Sequence, residues 1–229
     1  MPWIDPIDEF AKPPRLNAAA TSAEPWDGAV DIDEEEVRLD AVEIAGTAVT
    51  ASAQHVEVVG CVLTGVTLET DDGGRIDIVN STLTDCDLSR AHIGTIRGSR
   101  LVGCKLSGTD LAERPVRDAA FERCVLRYTN LRRSRLDRVA MTDCQLSECD
   151  LFEAVVEDCV FRGSEIHEMA IERTRFERAD LRDVSNLGLS DPTNLRGCLI
   201  DDRHVVQLAY PLALRAGATI ERDRDDAGD

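Results

Sequence analysis

The sequence predicts an all-β solenoid, a coil of short sides stacked on itself. Three observations carry this: an apolar residue at every fifth position, a small residue two places before each, and few aromatic side chains. From Leu101 the step of five visits Leu101, Leu106, Leu111, Val116, Phe121, Leu126, Leu131, Leu136, Met141, Leu146, Leu151, Val156, Phe161, Ile166, Ile171, Phe176 and Leu181, apolar without exception. With 43% of the chain hydrophobic, one frame produces such a run by chance roughly once in a million trials. An α-helix would turn these residues by about 140° per step and scatter them around its axis, and a flat strand would send them to alternate faces. A coil of four sides with about twenty residues per turn keeps all of them inside, and its turns pair as parallel β-bridges about 4.8 Å apart.

The second observation is independent of the first. Between Ser99 and Ala179 the residue two before each centre is small at fifteen of seventeen places, Arg114 and Met169 excepted, as a tight corner beside a large inward side chain requires. Seven of the eight cysteines (Cys61, Cys86, Cys104, Cys124, Cys144, Cys149 and Cys159) occupy this position. They read as small buried fillers, with Cys104, Cys124 and Cys144 stacked on one face. No CxxC pair is present, so neither a metal site nor a disulfide is expected. Aromatic residues make up 4% of the chain, too few for a core built around them.

The triplets Ala179-Asp180-Leu181, Thr129-Asn130-Leu131, Thr109-Asp110-Leu111, Cys149-Asp150-Leu151 and Cys86-Asp87-Leu88 resemble the pentapeptide repeat family, whose unit reads Ala-Asp/Asn-Leu-x-x. The resemblance covers roughly residues 45 to 200. It implies a right-handed quadrilateral parallel β-helix with a short C-terminal helical cap.

Three segments follow. Residues 1–40 lie outside the repeat, with five of the eight prolines, Trp3 and Trp26, and the acidic run Asp31 to Glu36. This segment either caps the first coil or is partly disordered. Residues 41–200 form the β-helix. Their early frame runs Ala53, Val58, Leu63, Leu68, Gly73, Ile78, Leu83, Leu88 and Ile93 and joins the later one by a slip of three, from Ile93 to Ile96, which places an insertion or a bulge within Ser89–Thr95. Asp71-Asp72-Gly73-Gly74 reads as a turn, and Arg114-Pro115 interrupts the pattern because proline donates no ladder bond. Residues 201–229 comprise a helix and an acidic tail. The helix has Val205, Val206, Leu208, Ala209 and Leu212 as its apolar face, Asp201 or Asp202 at its start, Gly217 at its end and a kink or break at Pro211. It resembles the C-terminal cap of the family, which in some members forms a two-fold contact, so a homodimer through this helix is implied.

Charge bears on function. The 229 residues carry a net charge of -18, which argues against direct binding of nucleic acid. No apolar run reaches the length of a membrane span, and the N-terminus lacks the basic start and apolar stretch of a signal peptide, so the expected location is the cytoplasm. His55, His92, His167 and His204 show no metal-ligand spacing, and no nucleotide or nucleophile motif is present. The expectation is a non-enzymatic chain without cofactor or metal.

Acidity concentrates at the ends. Residues 1–60 hold 13 acidic against 3 basic side chains and residues 141–200 hold 13 against 6, while residues 61–140 hold 11 against 13. The basic waist includes Arg127, Arg132, Arg133, Arg135 and Arg138. Stacking at twenty residues sets Arg133, Glu153 and Arg173 in one alternating column and Arg138, Asp158 and Arg178 in another. It also sets Asp137, Glu157 and Glu177 in a like-charged column and Glu148 above Glu168 in a shorter one. Like charges repel at this spacing, so these two columns are the candidate surface for a basic partner. The family resemblance implies a partner: some members are acidic rods that mimic DNA and occupy DNA gyrase or topoisomerase IV, inhibiting the enzyme or protecting it from quinolone-like poisons. The alternative is a general protein-interaction scaffold or regulator.

Overall fold

The computed structural model describes residues 12, 14–16, 24–25, 31–32, 36–46, 48–51, 54–70 and 73–221. Ala53, Asp71, Asp72, Trp3, Trp26 and the tail after Glu221 lie outside them. The chain is a parallel β-solenoid closed by one helix, Asp202–Arg215. All strand pairs among the described residues are parallel, each between one coil and the next.

Four inward columns form the core. The first is Ile44, Leu63, Leu83, Leu101, Phe121, Met141, Phe161 and Leu181; the second runs from Leu68 through Leu88, Leu106, Leu126 and Leu146 to Ile166 and Leu187. Val56, Ile76, Ile93, Leu111, Leu131, Leu151 and Ile171 make the third; Val58, Ile78, Ile96, Val116, Leu136, Val156 and Phe176 make the fourth. Every one of these side chains is at most 8% exposed. Removing a leucine or phenylalanine from water contributes about 1.5–3 kcal/mol, so the apolar period is the main source of the fold.

The corners have a second rule. Two residues after nearly every centre the backbone enters the left-handed region: Gly60, Gly65, Asn80, Asp85, Arg90, Gly98, Gly103 and Gly108 in the earlier coils. In the later ones Glu113, Asp118, Arg123, Tyr128, Arg133, Arg138, Asp143, Glu148, Glu153, Asp158, Gly163, Glu168, Arg173, Arg178 and Asp183 do so. The small residue two before each centre closes the same corner from inside. The seven cysteines there are buried, each thiol donating to a carbonyl of the preceding coil, as from Cys104 to Leu83 at 3.5 Å and from Cys124 to Leu101 at 3.4 Å. Cys86 joins Cys104, Cys124 and Cys144 in their column, since Leu88, Leu106, Leu126 and Leu146 share a side. Burial pushes the Cys149 and Cys159 thiols up to about 12, which keeps them protonated and suited to packing.

The early coils depart from the sequence expectation. Gly73 is not an inward centre but sits in a turn at φ +87°. The third side is centred on Ile76, two residues before Ile78 on the single strand Arg75–Val79. The period-five frame passes over this because eight residues from Leu68 to Ile76 and two more to Ile78 add up to two steps of five. The slip after Ile93 is a β-bulge: Ile93 pairs with Ile76 and Thr95 with Asp77, leaving Gly94 unmatched. Pro115 does not interrupt the coil. It opens the strand Pro115–Glu122 in register with Arg135, at a strand start where its missing donor is tolerated. The stack also begins before residue 41: Glu24–Pro25, Asp31–Ile32 and Glu36–Asp40 already pair with the following coil. Val37 and Leu39 are buried there in a coil too rich in charge to show the repeat.

The helix is continuous through Pro211, so neither a break nor a second helix forms there. His204 pins it: its Nδ1 accepts the Asp201 N–H at 3.3 Å and its Nε2–H donates to the Val184 carbonyl at 2.9 Å, with the ring fully buried. Gly217 follows at φ +87°, and the Ala218 N–H returns to the Ala213 carbonyl at 2.9 Å, the Schellman ending.

Candidate functional site

Register places both acidic columns where the stacking arithmetic puts them, but their surroundings differ. Asp137 pairs with Glu157 and Glu157 with Glu177 across successive coils. Each is already engaged. Asp137, 6% exposed, meets Arg117 at 2.9 Å and Arg138 at 2.7 Å. Glu157 meets Arg135 at 2.7 Å and Arg178 at 3.2 Å, and Glu177 is held by Arg175. The like-charged column is thus interleaved with five arginines, and little of its field reaches outward.

Glu148 and Glu168 stand differently. Both are exposed at left-handed corners of the second side. Glu148 accepts a hydrogen bond from Tyr128, one coil below, which holds the phenol above its usual range. Among the described residues the Glu168 carboxylate has His167 as its one ion-pair partner, at 3.8 Å. Asp143 and Glu165 are exposed on the same flank and form no ion pair with any described residue. This flank gathers four exposed acids that pair with no described arginine or lysine, although Arg123 and Arg127 stand one coil below them, and Asp143 and Glu165 are members that column arithmetic does not single out.

Most of the basic waist is spent on acids of this chain. Arg133 bridges Glu113 at 3.2 Å and Glu153 at 3.0 Å, and Arg173 takes the other oxygen of Glu153 at 3.0 Å, so hydrogen bonds from Arg133 and then Arg173 hold Glu153 below the usual carboxylate range. Arg132 meets Asp150 at 2.7 Å and covers the Phe152 ring at 4.4 Å. Arg135 and Arg138 belong to the acidic column above. Arg127 donates to Gln145 at 3.3 Å. The second alternating column pairs in twos: Arg138 takes Asp118 through Nε at 2.7 Å and Nη2 at 2.8 Å, not Asp158, which accepts from Nε and Nη2 of Arg178.

His55, Glu57 and Asp77 bring three ligand-type atoms within 4.8 Å of one another. His55 Nε2 lies 2.7 Å from Asp77, Arg38 is 2.8 Å from Glu57, and Arg75 is 4.0 Å from Asp77. Two guanidinium groups thus supply the positive charge that a cation would bring, and the group reads as an ion-pair network.

At the far end the helix divides the expected apolar face. Leu208 is buried against the last coil with His204, whereas Val205 is 57% and Val206 78% exposed, and Ala209, Tyr210, Leu212 and Leu214 are also exposed. No helix among the described residues is long and apolar enough to cross a membrane.

Coils with inward apolar centres at five-residue spacing, left-handed corners and parallel bridges define a parallel β-solenoid. Residues 94–171 match the family model described as Pentapeptide repeat region. Among solved structures, a trypsin-treated form of QnrB1, a plasmid-mediated fluoroquinolone resistance protein, is 17% identical over 87% of this chain and 100% of its own, with a TM-score of 0.38. Full-length QnrB1 is 15% identical over 77% of this chain and 99% of its own, with a TM-score of 0.31. Rfr23, a pentapeptide repeat protein from the cyanobacterium Cyanothece 51142, is 18% identical over 64% and 88%, with a TM-score of 0.16. No curated protein matches the sequence.

Proposed function

We propose that this chain is a non-catalytic, cytoplasmic solenoid that binds the basic surface of a protein partner, and that the partner is DNA gyrase or topoisomerase IV, engaged by mimicry of DNA. Charge density supports the reading. The eight centres of the first column correspond to a stack about 38 Å tall at about 4.8 Å per coil. Residues 141–200 hold 13 acidic against 6 basic side chains, a net charge of -7 over about three coils or about 14 Å, which amounts to one negative charge per about 2 Å there, near the one per about 1.7 Å of duplex DNA. A single acidic column supplies about a third of that, so Glu148 and Glu168 act together with Asp143, Glu165 and the acidic first coils. Asp137, Glu157 and Glu177 contribute only where a partner draws their arginines away.

The exposed face of the helix supports homodimerisation. A helix that served only as a cap would turn polar residues outward, whereas Val205, Val206, Ala209, Tyr210, Leu212 and Leu214 form an apolar surface beside the buried Leu208. A two-fold contact there would double the length of the acidic rod. Sedimentation of wild type against Val206→Glu tests it: a dimer that becomes a monomer is expected.

Gyrase supercoiling of relaxed plasmid, titrated with the purified protein at two salt concentrations, tests the main reading. Salt-sensitive inhibition that falls at least tenfold in Glu148→Lys/Glu168→Lys is expected. Absence of any effect at large excess would leave a scaffold for another partner.

A further inference from the structure

A short basic segment lies across the corner between the fourth and first sides. The backbone N–H of Lys12 donates to Asp158 Oδ1 at 3.4 Å, and its ammonium lies 3.6 Å from Asp158 Oδ2. The backbone N–H of Arg15 donates to Asp118 Oδ1 at 3.1 Å. Asp118 and Asp158 are two coils apart in one corner column, about 9.6 Å, and three residues of extended or polyproline chain span about 9–10 Å. The sequence between them is Pro13-Pro14, which has no N–H to donate. From Lys12 to Arg15, therefore, every backbone donor the sequence possesses meets a carboxylate of the column.

The corner is built to receive such a segment. The outward positions beside it carry small apolar residues in register, Ala120, Ala140 and Val160, and Ala120 is only 6% exposed although it points away from the core. Arg138 and Arg178 hold the two carboxylates ionised and oriented, their hydrogen bonds keeping both below the usual carboxylate range. Pro14 is half-buried, while Lys12 and Arg15 are exposed.

We propose that Lys12–Arg15 is a self-ligand: the Asp118/Asp158 corner is a docking surface for an extended, proline-containing, basic peptide, and the chain's own N-terminal segment occupies it until a competing peptide displaces it. The inference holds whatever the identity of the larger partner, since both interacting groups belong to this chain.

The test uses the full chain and a fluorescein-labelled peptide of residues 10–18 as probe. Lys12→Glu/Arg15→Glu changes two exposed side chains outside the coils, and circular dichroism checks that the fold is retained. Anisotropy is expected to show the peptide binding the double variant at least tenfold more tightly than wild type, whose site is already filled. Trypsin is expected to cut the Arg15–Leu16 bond at least fivefold faster in Lys12→Glu than in wild type. Equal peptide affinity for the two proteins, binding to neither, or an unchanged cleavage rate would each overturn the proposal.

Discussion

The coils before Ile93 and those after Leu111 solve the same packing problem with different outlines. In the early coils the third and fourth centres, Val56 with Val58 and Ile76 with Ile78, share one straight strand. No left-handed residue separates them. In the later coils Leu111 and Val116 are five residues apart with Glu113 turning the corner between them. The early coils therefore turn at three corners and the later ones at four, while both columns continue unbroken through the junction at Gly94. The solenoid requires continuous inward columns, not equal sides. The corners differ in chemistry as well. Up to Gly108 glycine takes most of the left-handed positions, as Gly46, Gly60, Gly65, Gly98, Gly103 and Gly108, with Ala41, Asn80, Asp85 and Arg90 at others, whereas charged residues hold most of them from Glu113 onward. An L-residue there costs roughly 1 kcal/mol, and in exchange it aims a charge along the stack.

The comparison can be broken most strongly at the core. Phe121→Ala in the later coils and Ile76→Ala in the early ones are expected to lose about 3–5 and 2–5 kcal/mol respectively in urea unfolding. Comparable losses would mean that both outlines rest on the same inward columns, whereas a small effect for Ile76 would show early coils that unfold separately. At the junction, a Cβ on Gly94 would lie 2.1 Å from Asp77 Oδ1, forcing that carboxylate off His55. Gly94→Ala is expected to cost about 1–3 kcal/mol, and Asp77→Ala in the same chain to restore most of it.

Among the charged corners, Arg138→Ala is expected to cost about 1–3 kcal/mol, because it strips a partner from the buried Asp137 and from Asp118. The pH dependence follows the same pairs. Asp118 and Asp158 lie below their ordinary value because Arg138 and Arg178 bond them, so their stabilisation is complete above about pH 4 and is lost as pH falls through the depressed values. Acid unfolding followed by circular dichroism is therefore expected below pH 4 in wild type and at higher pH in Arg138→Ala. The smallest change exchanges the two corner types. Gly60→Arg, at φ +66°, is expected to cost about 1 kcal/mol, and Arg123→Gly, at φ +51°, to gain up to about 1 kcal/mol.

How much of the site could be read beforehand depends on the reach of each side chain. Cys104, Cys124 and Cys144 followed from spacing, because a short thiol can only fill the corner beneath it. The Arg133–Glu153–Arg173 ladder followed as well, because alternating charges in one column have the correct neighbour on either side. Arg138 did not: it had Asp158 above and Asp118 below, and choosing between them required the local geometry that also brings in Asp137. The free acidic flank at Glu148 and Glu168 was visible as a column, but its contrast with Asp137, Glu157 and Glu177 depends on where five arginines reach from other positions.

By itself the sequence determined the period, the inward columns from Leu101 onward, the small corner residues and the terminal helix, since each of these is a local consequence of arc length and side-chain volume. Only the tertiary structure decided the three-cornered early coils. Eight residues followed by two occupy the same length of sequence as five followed by five, and a periodic frame cannot tell them apart. The tertiary structure likewise decided which face of the helix meets the coil, which acids remain unpaired, and that Lys12 and Arg15 lie against Asp158 and Asp118. Those contacts join groups more than a hundred residues apart, and their energies depend on distance in space, which sequence spacing does not encode outside the repeat.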